Sequence, residues 1–503
     1  MPEPARKPHA RMDLTQGPIS RTLLLFSLPV LGTSVMQSIN GSINAIWVGR
    51  LLGENALTAT ANATLILLIT LGVMFGTGMA STILVGQAIG AKDLPRAKKV
   101  VGTGAAFFAV TSLIAAIFGF AATDQILHWM GTPPEARALA EAYLRVVFLA
   151  MPFMCFFAYL TMVQRGAGDA RTPFRFMVVA ALLDIVLNPL LITGWGPFPQ
   201  LGIAGSATSM LLSQTIGMLS MLAYLYWRKA ELRLTGSELH YLKPDLALIR
   251  TIVVKGLPMG AQMLVISSSA IVMMSMINAL GAETAAAYAV AVQVWTYVQM
   301  PAMSIGAGVS SMAAQNVGAG KWDRVERSAH AGITINVLLT GGLVALLYVI
   351  GPTIVDLFLP GQPHSIAIAE HINNIALWSF ILFGITFVLF GVVRSTGAVN
   401  PPLVILLISL LGVRIGFAKL LEPSLGQDAI WWSFPVSMAV SASLAFAYYR
   451  WGGWRKARMG PVAPPAREVE DAPDTGVGAP AVDAEVCNED APDLLDEAPA
   501  KAT

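Results

Sequence analysis

Of the 30 acidic residues in this 503-residue chain, only Asp184 falls in the middle of an apolar run, ten residues from either end of 174–194. A carboxyl group at that position has few reasons to exist, because an ionised group out of water costs several kcal/mol unless it is compensated. Burial favours the neutral form and nearby cations the charged one, so a change of access can load or unload its proton. Asn188 stands one helical turn on from Asp184 on the same face, and Pro189 frees a carbonyl the helix would otherwise use. Earlier in the chain Gln37, Asn40 and Asn44, spaced three and four apart, form one polar stripe. The chemistry these groups can do is to bind and release a proton in a polar frame. The competing reading is a hydrogen-bonded clamp at Asp184 and ordinary polar contacts between helices elsewhere.

A second set of residues has the character of a soft organic-ligand lining. Met154 and Phe157 lie on the fourth apolar run and Gln262 on the seventh, while the eighth carries Gln293, Trp295, Tyr297 and Gln299. Thioethers repack around varied shapes and aromatic faces attract organic cations. Gln293 with Tyr297 and Trp295 with Gln299 each place an amide and an aromatic ring one turn apart, on roughly opposite faces, so one pair is expected to line a cavity. Other chemistry is excluded. The six histidines and two cysteines (Cys155 and Cys487) show no metal-ligand spacing, and no histidine or cysteine accompanies Asp184 as a nucleophile or base. No phosphate-binding loop of the G-x-x-x-x-G-K-[ST] type is present, so neither ATP nor an enzymatic reaction is expected, and no cofactor.

The elements that must position these groups follow from composition. The chain is 55% hydrophobic and only 12% charged, with a mean hydropathy of +0.64. Soluble domains carry about 25% charged residues, so an integral membrane protein is indicated, and a net charge of +2 argues against a nucleic-acid partner. A helix crossing ~30 Å of hydrocarbon needs about 20 apolar residues. Twelve such runs lie between residues 22 and 450. With the N-terminus inside, 27 of the 32 Lys and Arg residues fall on the inner side, which places both termini in the cytoplasm. Arg145 on helix 4 and Arg414 on helix 11 are exceptions, toward the outer halves. The N-terminus lacks the apolar core of a cleaved signal peptide.

The second half echoes the first at a shift of 228–229 residues. Leu28-Pro29 recurs as Leu257-Pro258; Gln87, Gly90 and Arg96 recur as Gln315, Gly318 and Arg324; Arg165, Gly168 and Pro173 recur as Arg394, Gly397 and Pro402. Six helices return the chain to its starting face, so the copies are parallel repeats. The expected fold is an all-α polytopic membrane protein, twelve transmembrane helices in two six-helix lobes around a central cavity. The divisions are a cytoplasmic N-terminus (1–20), an N-lobe (21–228), a central cytoplasmic loop (229–247), a C-lobe (248–452) and an acidic, disordered cytoplasmic tail (453–503). Arg165 and Arg394 read as inner-end anchors.

Several motifs together carry a family resemblance over roughly residues 15–455. They are Trp47-Val48-Gly49-Arg50-Leu51, the loop from Arg165-Gly166-Ala167-Gly168-Asp169 to Pro173, Gly202 to Thr208, Met300-Pro301 to Gly306, and Gln315 to Gly320. The chain resembles the multidrug and toxic compound extrusion (MATE) family. The resemblance implies export of amphipathic, usually cationic organic molecules driven by inward flow of H+ or Na+, from a bacterial cytoplasmic membrane; a monomer is expected. It also exposes departures. The family's helix 1 aspartate is Asn44 here, the family's helix 5 N-x-x-x-D is reversed as Asp184-x-x-x-Asn188, and the acids some members carry on helices 7 and 10 are missing at mid-span, Glu370 standing only at the outer start of helix 10. Coupling is therefore expected in the N-lobe at Asp184, with H+ favoured; Na+ is the alternative, with Asp184, Asn188 and Asn44 as hard oxygen ligands. The competing function is a flippase for a lipid-linked saccharide, which would want several cations in the cavity, where only Arg145 and Arg414 come near.

Overall fold

The computed structural model describes residues 12–358 and 361–460, and over these the chain is helical without a strand. The N-lobe holds α1 (Ile19–Leu52), α2 (Glu54–Gly90), α3 (Leu94–Ala121), α4 (Pro134–Gly166), α5 (Arg171–Thr193) and α6 (Ile203–Trp227). The C-lobe holds α7 (Leu246–Asn278), α8 (Ala282–Gly318), α9 (Trp322–Phe358), α10 (Pro363–Ala376 and Ser379–Ser395), α11 (Asn400–Leu425) and α12 (Asp428–Trp451). Ten of these are long and apolar enough to cross a bilayer singly, and α10, bent by 46° at its break, makes an eleventh. The twelfth, α8, is less apolar and is enclosed along its second half: every residue from Gly308 to Asn316 is buried, many of them Gly, Ala and Ser. Its repeat partner α2 is likewise buried without interruption from Gly76 to Gly86. A helix enclosed on all sides loses its polar face and gains small residues that let neighbours approach.

That approach is how the two lobes meet. A Cβ on Gly90 would strike the backbone of Gln315, and one on Gly318 the backbone of Gln87, so α2 and α8 cross reciprocally at these glycines. The side chains repeat the reciprocity. Gln87 Nε2 donates to the Ser395 carbonyl at 2.7 Å, and Gln315 Nε2 donates to the Gly166 carbonyl at 2.9 Å. These contacts lie at the end of the bundle that carries Lys92, Arg96, Lys321 and Arg324, here called the basic end. Toward the opposite end the packing opens: α1 buries Thr22, Leu23, Phe26, Ser27, Val30 and Thr33, and then only Val48.

The described residues flanking the helical bundle on either side pack against it. Leu14, fully buried, sits in a cluster built from α1, α8, α9 and α10. Its N–H donates to Gln315 Oε1 and its carbonyl accepts from Asn316 Nδ2, while Met12 N–H donates to the Gly168 carbonyl. At the other end Thr396 Oγ1 donates to the Trp454 carbonyl, and Met459 is buried among α2 and α3 residues. Packing thus continues beyond residue 452, into the stretch expected as tail; the acidic stretch from Glu468 to Glu497 lies outside the described residues. The central loop is folded too, as a 3-10 turn (Gly236–Leu242) whose Tyr241 backbone packs against Gly102.

Candidate functional site

Three N-lobe helices bring the polar groups together. Asp184 on α5 is 5% exposed, and both its carboxylate oxygens accept hydrogen bonds: Oδ2 from Asn40 Nδ2 of α1 at 2.9 Å, Oδ1 from Ser209 Oγ of α6 at 2.7 Å. One turn further along, Asn188 Nδ2 donates to Asn44 Oδ1 at 2.6 Å, and Ser206 Oγ donates to the same oxygen at 2.8 Å. Tyr143 of α4, 5% exposed, lies beside Asn44 and within electrostatic reach of Asp184. The result is two stacked layers, Asn40–Asp184–Ser209 and Asn44–Asn188–Ser206. A cavity of about 80 Å³ opens on the first layer, lined by Gln37, Asn40, Asp184, Met177, Met210 and Gln214 among others.

Two features of this frame matter chemically. Ser209 Oγ lies 2.7 Å from Asp184 Oδ1 and also 3.0 Å from the Asp184 main-chain carbonyl. A hydroxyl has one proton to donate and can accept as well. With an ionised carboxylate the Ser209 proton serves Oδ1. With a protonated carboxyl the acid proton serves Ser209 Oγ, and the hydroxyl turns to the carbonyl. Both protonation states are hydrogen-bonded without moving a heavy atom. Second, Asn40 Oδ1, on the amide bonded to the carboxylate, and Asn188 Oδ1, one turn on, are buried without a hydrogen-bond partner among the described residues.

All five residues expected to handle the ion, Gln37, Asn40, Asn44, Asp184 and Asn188, therefore converge. Ser206, Ser209 and Tyr143 carried no mark in the sequence as members of this site, although Ser206, Ser209 and Ser213 share one face of α6 at helical spacing.

The expected substrate lining is brought together less well. Gln293 and Tyr297 form the accessible pair on α8, joined by a 3.3 Å hydrogen bond, and Gln299 and Met154 are half-buried. Trp295 is a correction: it is 3% exposed, its Nε1 donates to Asn373 Oδ1, and its ring packs on Tyr288, Phe380 and Phe434. Phe157 is a correction of the same kind, 1% exposed in an apolar cluster with Met177, Met218 and Met221. Gln262 is turned inward, where its Oε1 accepts from Arg394 Nη1 at 3.1 Å. Arg394 is buried by the same contact and is no surface anchor.

The MatE family model matches this chain twice, over residues 29–190 and 258–420. Among curated relatives, the probable multidrug resistance protein YoeA of Bacillus subtilis (strain 168) is 36% identical, the alignment spanning 91% of this chain and 99% of the relative. The probable multidrug resistance protein YpnP of the same organism is 31% identical over 89% and 98%. Among solved structures, an outward-facing multidrug resistance MATE family transporter of the MOP superfamily superposes with a TM-score of 0.80 at 20% identity, over 88% of this chain and 98% of that one. A MATE protein in complex with MaL6 gives 0.81 at 21% identity over the same shares. At these identities the structures establish a shared fold.

Proposed function

The chain belongs to the MatE family, whose members are multi-pass transporters and not enzymes, and from that premise we propose that it is a multidrug exporter exchanging amphipathic, mostly cationic organic molecules for protons at Asp184. The multidrug resistance and multidrug export names of its relatives support the substrate class. The proton assignment is carried by the Ser209 hydroxyl, placed to complete the hydrogen bonding of Asp184 in either protonation state. Exchange then follows from competition. An ionised Asp184 attracts an organic cation, a protonated one does not, and a single carboxyl cannot serve both at once. Closing one end of the bundle while the other opens makes that competition vectorial. The membrane is the bacterial cytoplasmic membrane, with the basic end and both termini on the cytoplasmic side.

A second coupling ion is favoured by one observation, the buried Asn40 and Asn188 oxygens that lack a hydrogen-bond partner among the described residues. With Asp184 and Asn44 they would give Na+ an all-oxygen site.

Efflux of a cationic dye from proteoliposomes under an imposed pH gradient, without sodium, separates these readings. The wild type is expected to export the dye and Asp184→Asn, folded, to lose export by at least about a hundredfold, since the carboxylate has no substitute. Equal export by the variant sinks the Asp184 assignment. Export that begins only when sodium is added transfers the site to the oxygen ligands.

A further inference from the structure

On α5 the exposed residues from 171 to 190 are Arg171, Arg175, Val179, Leu182 and Val186, spaced four, four, three and four apart. They form one stripe of the helix, turned away from the bundle. Its apolar members are what a membrane helix shows to lipid; its members at the basic end are arginines. The neighbouring helix α6 presents Leu212, Ile216 and Leu219 in the same way and ends in Trp227, 61% exposed. Aromatic groups join the two helices near that end. The Phe176 ring of α5 lies 5.4 Å from the Tyr224 ring of α6, and the Arg228 guanidinium stands over the Tyr224 and Trp227 rings at 5.9 and 5.7 Å. Two apolar tracks thus lead to one group of arginines.

These arginines differ from the cations around them. Lys98 and Lys99 of α3 pair with Glu238 and Asp245, and Arg455 pairs with Glu326. Among the described residues Arg171, Arg175 and Arg228 take part in no salt bridge. The acid nearest in sequence, Asp169, is engaged by the Arg171 and Thr172 amides and the Thr172 hydroxyl. Arg228 Nε is buried without a hydrogen-bond partner. Nor does the fold demand the pair on α5. The repeat shift that aligns Pro173 with Pro402 sets Arg171 and Arg175 on Asn400 and Val404, which are also exposed and carry no charge. The C-lobe folds to the same plan without them. Forked guanidinium groups at the end of an apolar stripe match a phospholipid, because each fork can take two phosphate oxygens while acyl chains lie along the stripe. A headgroup with net negative charge gains further from the summed field of the three cations.

We propose that the basic end of the α5–α6 face binds an anionic diacyl phospholipid of the surrounding bilayer, its phosphodiester on Arg171, Arg175 and Arg228 and its chains along Val179, Leu182, Ile216 and Leu219. Phe176, Tyr224 and Trp227 lie beneath its glycerol. The lipid so held bridges the two helices that carry Asp184 and Ser209. Its binding requires only that the chain span a membrane, whatever the coupling ion or substrate.

Native mass spectrometry of the full chain in detergent reads this binding directly. Dioleoyl phosphatidylglycerol and dioleoyl phosphatidylcholine share their chains and a phosphate and differ in net charge. Wild type is expected to bind phosphatidylglycerol about tenfold more tightly than phosphatidylcholine, and Arg171→Gln with Arg175→Gln to bring the two within about twofold. Arg450→Gln removes an exposed cation at the basic end of α12 and should keep the wild-type preference. Arg228→Gln should weaken phosphatidylglycerol about threefold, and it carries the test if the double variant does not fold. No preference in wild type overturns the proposal, as does a preference that survives the loss of these arginines. A preference lost equally in Arg450→Gln overturns it too, by showing that overall charge alone is read. Displacement of phosphatidylglycerol by glycerol 1-phosphate, which has the headgroup chemistry without the chains, overturns the lipid assignment in favour of a soluble phosphate ester.

Discussion

Ser209 makes Asp184 usable in two states, and removing its hydroxyl isolates that contribution. Ser209→Ala leaves Oδ1 of the carboxylate without its donor and the neutral acid without its acceptor, so neither protonation state is completed. We expect pH-driven dye efflux to fall about tenfold, ~1.4 kcal/mol in the limiting barrier, while Ser209→Thr, which keeps the hydroxyl, retains most of the rate. An unchanged rate in Ser209→Ala would remove Ser209 from the mechanism. The polar stripe of α1 and the Asp184–Asn188 pair are legible in the sequence because a carboxylate and three amides are conspicuous in apolar surroundings. Ser209 is not, because a serine in a membrane helix ordinarily satisfies itself on its own backbone, as Thr33 does on Pro29. The assignment of Trp295 and Phe157 to the cleft fails for a related reason. In a bilayer the lipid face, the lobe interior and the cavity wall are all apolar, so periodicity cannot tell which face of α4 or α8 turns inward.

The segment between the lobes is ordered by charge. Lys98 of α3 pairs with Glu238 at 2.6 Å, and Lys99 pairs with Asp245 at 2.6 Å, the latter also capping α7 through the Ala247 and Leu248 amides. The Lys98 hydrogen bond holds the Glu238 carboxyl below its usual range, and the Lys99 hydrogen bond does the same for Asp245. A carboxyl depressed in the folded state contributes stability that is complete above its unfolded value and is lost as the pH falls through the folded one. The Gly236–Leu242 turn should therefore be docked on α3 at neutral pH and release in acid below the ordinary carboxylate range, with salt weakening the exposed pairs further. Hydrogen exchange of residues 236–248 at neutral and acidic pH checks this: amide protection should drop in acid for wild type. Lys98→Ala with Lys99→Ala should show reduced protection already at neutral pH. Protection indifferent to both pH and the substitutions would show that Leu232 and the Tyr241 backbone hold the segment without the charges. The basic and acidic residues of this loop are plain in the sequence, but their pairing across 140 positions is not, and the segment reads there as a simple connection.

At the scale of the molecule, the reciprocal bonds of Gln87 and Gln315 are the means by which the two repeats close the basic end. Each glutamine spans from one lobe to a main-chain carbonyl of the other, and each is flanked by the glycine that lets α2 and α8 touch. Gln315 has the further task of accepting the Leu14 amide, so the N-terminal segment straps the same seam from below. The repeat itself was visible as aligned Gln, Gly and Arg residues, but not what the glutamines hold, since their acceptors are backbone carbonyls on the opposite lobe and carry no side-chain signature. Under the proposed export by alternating access this seam parts, and its bonds then favour the closed state only modestly. Each net hydrogen bond is worth about 1 kcal/mol, and Gln87→Ala with Gln315→Ala should shift the balance toward opening at the basic end by roughly thirtyfold. A reporter at Ala314→Cys, buried against Gly86, in a background with Cys155 and Cys487 replaced, reads this as faster labelling by an impermeant maleimide applied from the basic side. Leu14→Asp should act in the same direction by withdrawing a fully buried side chain from the strap. Unchanged labelling in both variants would mean that glycine packing alone holds the lobes together at this end.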